Sequence, residues 1–168
     1  RLPGERRYGV VCGTGRLLEA IRDFRFNPEE IEYLASRAIV SDRTAQYLAD
    51  YRFAGDVYGY AEGECYFPHS PVLTVTGSFA ECVVLETVIL SILNHDSAVA
   101  TAASRITAAA HGRPCLEFGA RRTHETAAVH AARAAVIAGF TATSDLEGGR
   151  TYDLGVAGTS AHSFTLVH

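Results

Sequence analysis

From Pro114 onward the chain alternates strand-like and helix-like segments, and this rhythm restricts it to folds built on a parallel sheet. Pro114–Phe118 reads as a strand, and Thr123 as the cap of a helix over Glu125–Ala138 that Gly139 closes. Phe140–Thr143 reads as a second strand, Ser144–Gly148 as a helical turn and Gly155–Ala157 as a third strand, with a last helix starting near Ser160. Parallel strands need a long crossover, which a helix supplies, so the alternation predicts an α/β sheet, open or curling into a barrel. Ligand-binding groups in such folds gather at the carboxyl ends of the strands. The residues after each strand are therefore the first candidates for chemistry.

The first part of the chain has a different texture. Tyr8–Val11 is a short strand leading through Gly13-Thr14-Gly15 into a helix over Arg16–Phe24. Pro28-Glu29-Glu30 opens a helix through Ala35, since proline suits the first turn and acids complement the helix dipole. Ser41-Asp42 offers an N-cap for a helix over Arg43–Tyr51. Asp56–Thr76 is rich in aromatics, valines and turn residues and predicts a small antiparallel β region. Gly77 marks a boundary, giving an α+β region over 1–76 and a second region over 77–168. Phe79–Leu93 is apolar nearly all round, which predicts a buried helix shorter than the ~20 residues of a membrane span. Asn94-His95-Asp96 is expected to break it before an alanine-rich helix over Ser97–Ala110, ended by Gly112.

Composition narrows the function. With 168 residues, 48% of them hydrophobic and 20% charged, the chain can bury a core. Its net charge of −4 argues against a general nucleic-acid or anionic-membrane surface, so an anion site must be built locally. The four cysteines form no CxxC pair, and reduced thiols in a cytoplasmic protein are the expectation. The basic start, Arg1 to Arg7, has no apolar run after it and does not read as a signal peptide. With no methionine anywhere and an apolar helix at its end, the chain is expected to be an internal piece of a longer protein, dependent on the missing parts.

Gly13-Thr14-Gly15 invites a dinucleotide reading, but Leu18 occupies the third glycine position, so a structural turn is preferred. Arg121 and Arg122 follow a strand end, where a guanidinium fork suits carboxylate or diphosphate, although paired arginines are usually solvated. Phe118 could stack a flat ring or fill a core. Thr143-Ser144-Asp145 sits at the next strand end, with helix capping as its ordinary role. His162 stands in the first turn of the last helix, after Gly158 and Thr159, where a neutral imidazole can act as a nucleophile or simply pack. His95, His111, His124 and His130 show no metal-ligand spacing.

These segments resemble the nicotinate phosphoribosyltransferase family along nearly the whole chain. The residues that carry the resemblance are Glu62–Pro68, Leu85-Glu86-Thr87, Leu93–Ser97, Glu117–Arg122, Thr143-Ser144 and Gly158–Phe164. The resemblance implies a small amino-terminal α+β region followed by the first part of a type II phosphoribosyltransferase-like α/β barrel. It implies that nicotinate and phosphoribosyl diphosphate are joined to nicotinate mononucleotide, with ATP hydrolysis coupled to the reaction and Mg2+ carried by the phosphates. His162 matches the histidine that ATP phosphorylates, Phe118 the aromatic that stacks the pyridine, and Arg121 an arginine near the diphosphate and base. Thr159 and Thr143 match substrate-contacting positions. Ser144 falls where related nicotinamide-using enzymes carry an acid, which fits a carboxylate substrate. A cytoplasmic homodimer with a shared active site is implied, with no nucleic-acid or membrane partner.

The chain departs from the family pattern in three ways. It begins after the family's tyrosine-bearing segment, it ends before the later barrel strands, and Asp145 replaces the usual asparagine. Two rival readings stand beside this one. The first is an inactive fragment that keeps only a structural and dimerising role. The second is a quinolinate phosphoribosyltransferase, against which Gly158–Phe164 argues.

Overall fold

The computed structural model describes Leu2 and residues 4–168; Arg1 and Pro3, within the basic amino-terminal stretch, lie outside the described residues. Strand β1 (Gly9–Val10) leads to Gly13, whose φ of 98° belongs to the left-handed region. A Cβ there would also lie 3.0 Å from the Asp96 carboxylate, so glycine is required twice over. Helix α1 (Thr14–Asp23) thus starts two residues before the expected Arg16, on a backbone turn with no side-chain cap. Helix α2 (Pro28–Ser36) has the full capping box, Asn27 with Glu30, behind Pro28. Helix α3 (Asp42–Ala49) is capped by Ser41 and stops before Tyr51, which turns into the core and donates its hydroxyl to the Glu81 carbonyl at 3.1 Å.

Strands β2 (Asp56–Gly59) and β4 (Leu73–Thr76) form the expected antiparallel pair. Strand β3 (Cys65–Tyr66) leaves them and pairs antiparallel with β1, Gly9 opposite Tyr66.

Helix α4 (Phe79–Ala109) corrects the expectation of two helices, because it runs unbroken for 31 residues through Asn94-His95-Asp96. The buried polar residues of its middle, Asp96, Ser97 and Thr101, have partners to the side, while Asn94 lies on the exposed face. Asp96, 1% exposed, accepts two hydrogen bonds from Arg16, each 3.1 Å. Thr101 Oγ1 accepts the Val10 amide at 2.9 Å, and the Ser97 hydroxyl accepts the Cys12 amide and donates to its carbonyl. The helix therefore completes the hydrogen bonding of β1, whose edge it covers. Its length and composition suffice to cross a bilayer, unlike the shorter run expected, yet α4 packs on β1, α1 and α5. Burial all round is also corrected: Leu85, Ile89, Ile92 and Leu93 face a core shared with Leu17, Ile21 and Tyr51, while Phe79, Val83 and Leu90 are exposed.

The carboxyl-terminal region keeps the βα order. Strand β5 (Leu116–Glu117) runs into a 3-10 helix (Gly119–Arg122), then α5 (Glu125–Ile137), β6 (Ala142–Thr143), α6 (Leu146–Tyr152) and α7 (His162–Val167). Strands β5 and β6 are parallel, and Thr143 bridges onward to Val156, also parallel. The expected cap, Thr123, instead closes the 3-10 helix in extended backbone, so His124 takes the N-cap position of α5 without a side-chain bond. Helix α6 continues past Gly148, where a turn was expected to end, because both its glycines are packing positions. A Cβ on Gly148 would meet Ala132 at 3.1 Å, and one on Gly149 would clash with Val156 at 2.4 Å.

Besides the Arg16–Asp96 bridge, a second ion pair ties the two regions together. Glu62, in the loop after β2, meets Arg133 of α5 in a bidentate bridge at 2.6 and 2.8 Å, and accepts the Gly13 amide at 2.6 Å. Burial alone would raise the Glu62 carboxyl; Arg133 and the Gly13 amide outweigh it and hold the group below the ordinary glutamate range. Its stabilisation is therefore complete above that range and is lost as the pH falls through it to the depressed folded value. Arg133→Ala is expected to cost the complete polypeptide about 3 kcal/mol at neutral pH and to flatten its acid destabilisation, whereas Arg150→Ala, from the exposed pair with Glu147, leaves the midpoint unchanged. Denaturant unfolding across pH checks both.

Candidate active site

Three chain segments end at one edge of the carboxyl-terminal sheet. The Thr141 amide donates to the Cys115 carbonyl, and the Ser144 amide to the Glu117 carbonyl, at 2.9 and 2.8 Å. On the other side of β6 the Thr143 amide donates to Gly155 and the Ala157 amide to Thr143, both at 2.9 Å. These bonds align three parallel segments, so Phe118, Ser144 and Gly158 leave the sheet at its carboxyl edge. That is where groups gather in parallel α/β folds. All three segments singled out in the sequence converge here.

Each departing segment carries different chemistry. Phe118 is 46% exposed, an aromatic residue beside the strand end. Arg121 and Arg122 follow on the 3-10 helix, and among the described residues no carboxylate lies within 4.0 Å of either guanidinium. Ser144 is half-buried at the start of the turn into α6. Asp145 caps α6, its Oδ1 accepting the Gly148 amide at 2.9 Å. Thr159 is exposed, and His162 is exposed as the first residue of α7. Thr143 differs from the rest: it has 0% exposure and its hydroxyl donates to Glu117 Oε2 at 2.7 Å, so its side chain faces the sheet interior and not the open edge.

Glu117 has no role in the sequence reading, and the structure makes it the buried acid beneath the edge. Its carboxylate, in a residue 8% exposed, takes the Thr143 hydroxyl and the Gly119 amide. The available signal was an acid set inside an apolar strand, Cys115-Leu116-Glu117-Phe118. Other titratable groups lie away from this edge and are engaged structurally. His95 Nδ1 is 2.9 Å from Asp96 Oδ1, and His130 Nδ1 is 2.9 Å from the Tyr152 hydroxyl. Burial and the nearby Arg16 hold the His130 imidazole below its ordinary value. Burial, then Glu62 and Asp96, push the Cys12 thiol up to about 12, which makes it a poor nucleophile. A cavity of about 540 Å³ lined by Arg43, Tyr47, Arg52 and Glu81 lies elsewhere, between α3 and the start of α4.

The short parallel sheet with helices in its crossovers, and with an aromatic ring, guanidiniums and hydroxyls on the segments leaving its carboxyl edge, defines the class of parallel α/β proteins. Residues 1–94 match the model of the nicotinate phosphoribosyltransferase (NAPRTase) N-terminal domain. The chain belongs to this nicotinate phosphoribosyltransferase family. It is 60% identical over 168 residues to nicotinate phosphoribosyltransferase pncB1 of Mycobacterium tuberculosis, covering all of this chain and 37% of that protein. It is 37% identical over 164 residues to the nicotinate phosphoribosyltransferase of Bacillus subtilis, covering 97% of this chain and 34% of the relative. The chain thus spans little more than a third of the length of these relatives. Its fold superposes on human nicotinic acid phosphoribosyltransferase with a TM-score of 0.89 at 28% identity, over 99% of this chain and 34% of that one. The likeness to a nicotinate-nucleotide pyrophosphorylase from Pyrococcus furiosus has a TM-score of 0.77 at 27% identity, over 99% and 35%. The α/β class expected from the strand–helix rhythm is the class observed.

Gly119 sits against the buried carboxylate, where an added Cβ would lie 2.7 Å from Glu117 Oε1. Gly119→Ala is expected to displace that oxygen and cost about 2 kcal/mol, the scale of a disturbed hydrogen bond to a buried charge. Gly158→Ala, with nothing within 4 Å of the new methyl, leaves stability unchanged. Denaturant midpoints of the two variants separate the cases.

Proposed function

We propose that the polypeptide carrying this chain is a nicotinate phosphoribosyltransferase of NAD biosynthesis. It joins nicotinate to phosphoribosyl diphosphate, releases nicotinate mononucleotide and diphosphate, and couples this to the hydrolysis of ATP to ADP and phosphate. The observation that carries the reading is that the segments bearing Phe118 and Arg121, Ser144, and Gly158 with His162 beyond it leave three parallel strands at one sheet edge, in a chain of this family.

The chemistry follows from those groups. The pyridine nitrogen of nicotinate attacks the anomeric carbon as the bond to the diphosphate oxygen breaks, through an oxocarbenium-like state. The exposed face of Phe118 stacks the pyridine and holds its nitrogen in line. Arg121, without a carboxylate partner of its own, stabilises the charge that grows on the departing diphosphate. Ser144 and Thr159 offer hydroxyl donors to nicotinate, where an acid would repel its carboxylate. His162, exposed on α7, takes the γ-phosphoryl group from ATP on a ring nitrogen and releases ADP; water later cleaves the phosphorus–nitrogen bond. Mg2+ enters with the phosphates of the substrates. The same reading divides the chain into residues 1–76 and 77–168 and carries a cytoplasmic homodimer with a shared active site; the four free cysteines suit a reducing compartment.

Radiolabelled ATP tests the coupling. The complete wild-type polypeptide is expected to take up acid-labile, base-stable label from the γ-phosphate, and His162→Ala to take up none. Wild type without label refutes a phosphohistidine. Ser144→Asp tests the base specificity: it is expected to raise the KM for nicotinate at least about tenfold, the effect of roughly 1.4 kcal/mol of repulsion, with a smaller change in the KM for phosphoribosyl diphosphate.

A further inference from the structure

Glu117 is a buried carboxylate that no ion pair neutralises among the described residues, in a position where apolar residues are the rule. A fold that retains such a group uses it, and the hydrogen bonds around it show where. Oε1 accepts the amide of Gly119, the first residue of the 3-10 helix that carries Arg121. Oε2 accepts the hydroxyl of Thr143, the last residue of β6. Thr143 Oγ1 in turn accepts the Asp145 amide at 3.0 Å. The backbone carbonyl of Glu117 takes the Ser144 amide at 2.8 Å. Thr143 extends the network to the third segment through its two backbone bonds to Gly155 and Ala157.

The strands at this edge are two residues long, so the ladder between β5 and β6 ends where the site begins. Past that point the departing turns have no regular backbone pairing. The Glu117 carboxylate and Thr143 hydroxyl take its place, fixing the turn that displays Phe118 and the turn that displays Ser144 against each other. A displacement of about 1 Å in groups that orient a reacting base can lower the rate a hundredfold.

We propose that Glu117 is a positioning residue for the pyridine-binding pocket, acting with Thr143 to set the spacing between the Phe118 platform and Ser144, and that Thr143 serves the site through Glu117 and not by contact with substrate. The inference rests on the nicotinate phosphoribosyltransferase reading. It concerns how the base is held and leaves the phosphorylation of His162 to other parts of the edge.

The test uses the complete polypeptide and two readouts, steady-state kinetics with nicotinate and phosphoribosyl diphosphate, and label transfer from ATP to His162. Glu117→Ala is expected to raise the KM for nicotinate about tenfold or more while the extent of His162 labelling stays at the wild-type level. Glu117→Gln recovers most of the loss, because its amide oxygen accepts from Gly119 and its amide nitrogen donates to Thr143 Oγ1. Thr143→Val reproduces the defect, and the double variant Glu117→Ala/Thr143→Val is no worse than Glu117→Ala alone, as for two residues acting as one unit. Should Glu117→Ala fail to fold, Thr143→Val decides: a raised nicotinate KM upholds the inference and an unchanged one overturns it. Additive defects, or equal loss of labelling and turnover with KM unchanged, also overturn it in favour of a purely structural role. A wild type with no nicotinate-dependent turnover overturns the functional reading itself, and the inference with it.

Discussion

Buried side-chain oxygens complete the backbone hydrogen bonding that very short strands leave unfinished, and the rest of the fold depends on this. Among the described residues, four of the six strands contain two residues each, too few for a ladder to satisfy its own ends. Ser97 and Thr101 of α4 satisfy the amides that β1 and its continuation turn toward them. Glu62 takes the amide of Gly13 and the guanidinium of Arg133. Glu117 and Thr143 do the same at the carboxyl edge. Each of these groups is polar and withdrawn from water, so each is costly unless its partners are in place. The consequence is a fold whose geometry is held by a few specific bonds across long stretches of sequence.

That arrangement explains what could be read from the sequence and what could not. Most local signals held: the Asn27–Glu30 box, the Ser41 cap and the left-handed glycines at 112 and 139 sit where their chemistry put them, whereas the Thr123 cap gave way to His124. The strand–helix order after Pro114 was legible because apolar runs and helical runs have different periods. Asn94-His95-Asp96 misled because Asp96 is buried in the helix and its stabilising partner, Arg16, lies 80 residues away. The pairing of β3 with β1 and the bridge from Glu62 to Arg133, 71 residues apart, left no local trace either. Gly148-Gly149 looked like the end of a turn, and only the proximity of Ala132 and Val156 shows why a helix runs through both.

The same division holds at the candidate site. Phe118, Arg121, Ser144 and the Gly158–His162 segment could be singled out because each follows directly on a strand. Their convergence needed the parallel order of three segments, which rests on the β5–β6 pairing and the backbone bonds of Thr143 and Ala157. Glu117 lies in the first of these segments, but its meaning lies in a bond to Thr143, 26 residues on. Helix capping is the ordinary reading of Asp145 in the sequence, and its bond to the Gly148 amide makes it a cap. The edge thus has an outer layer of exposed groups suited to ligand chemistry and an inner layer, Glu117 and Thr143, that holds the outer one in register.

A crystal structure of the complete polypeptide with nicotinate mononucleotide bound tests the central claim most directly, because it locates the base without relying on rates. The account predicts the pyridine stacked on Phe118, its carboxylate beside Ser144 and the Glu117–Thr143 bond intact beneath. A pyridine bound away from this edge, or one with Phe118 turned into the core, would contradict it.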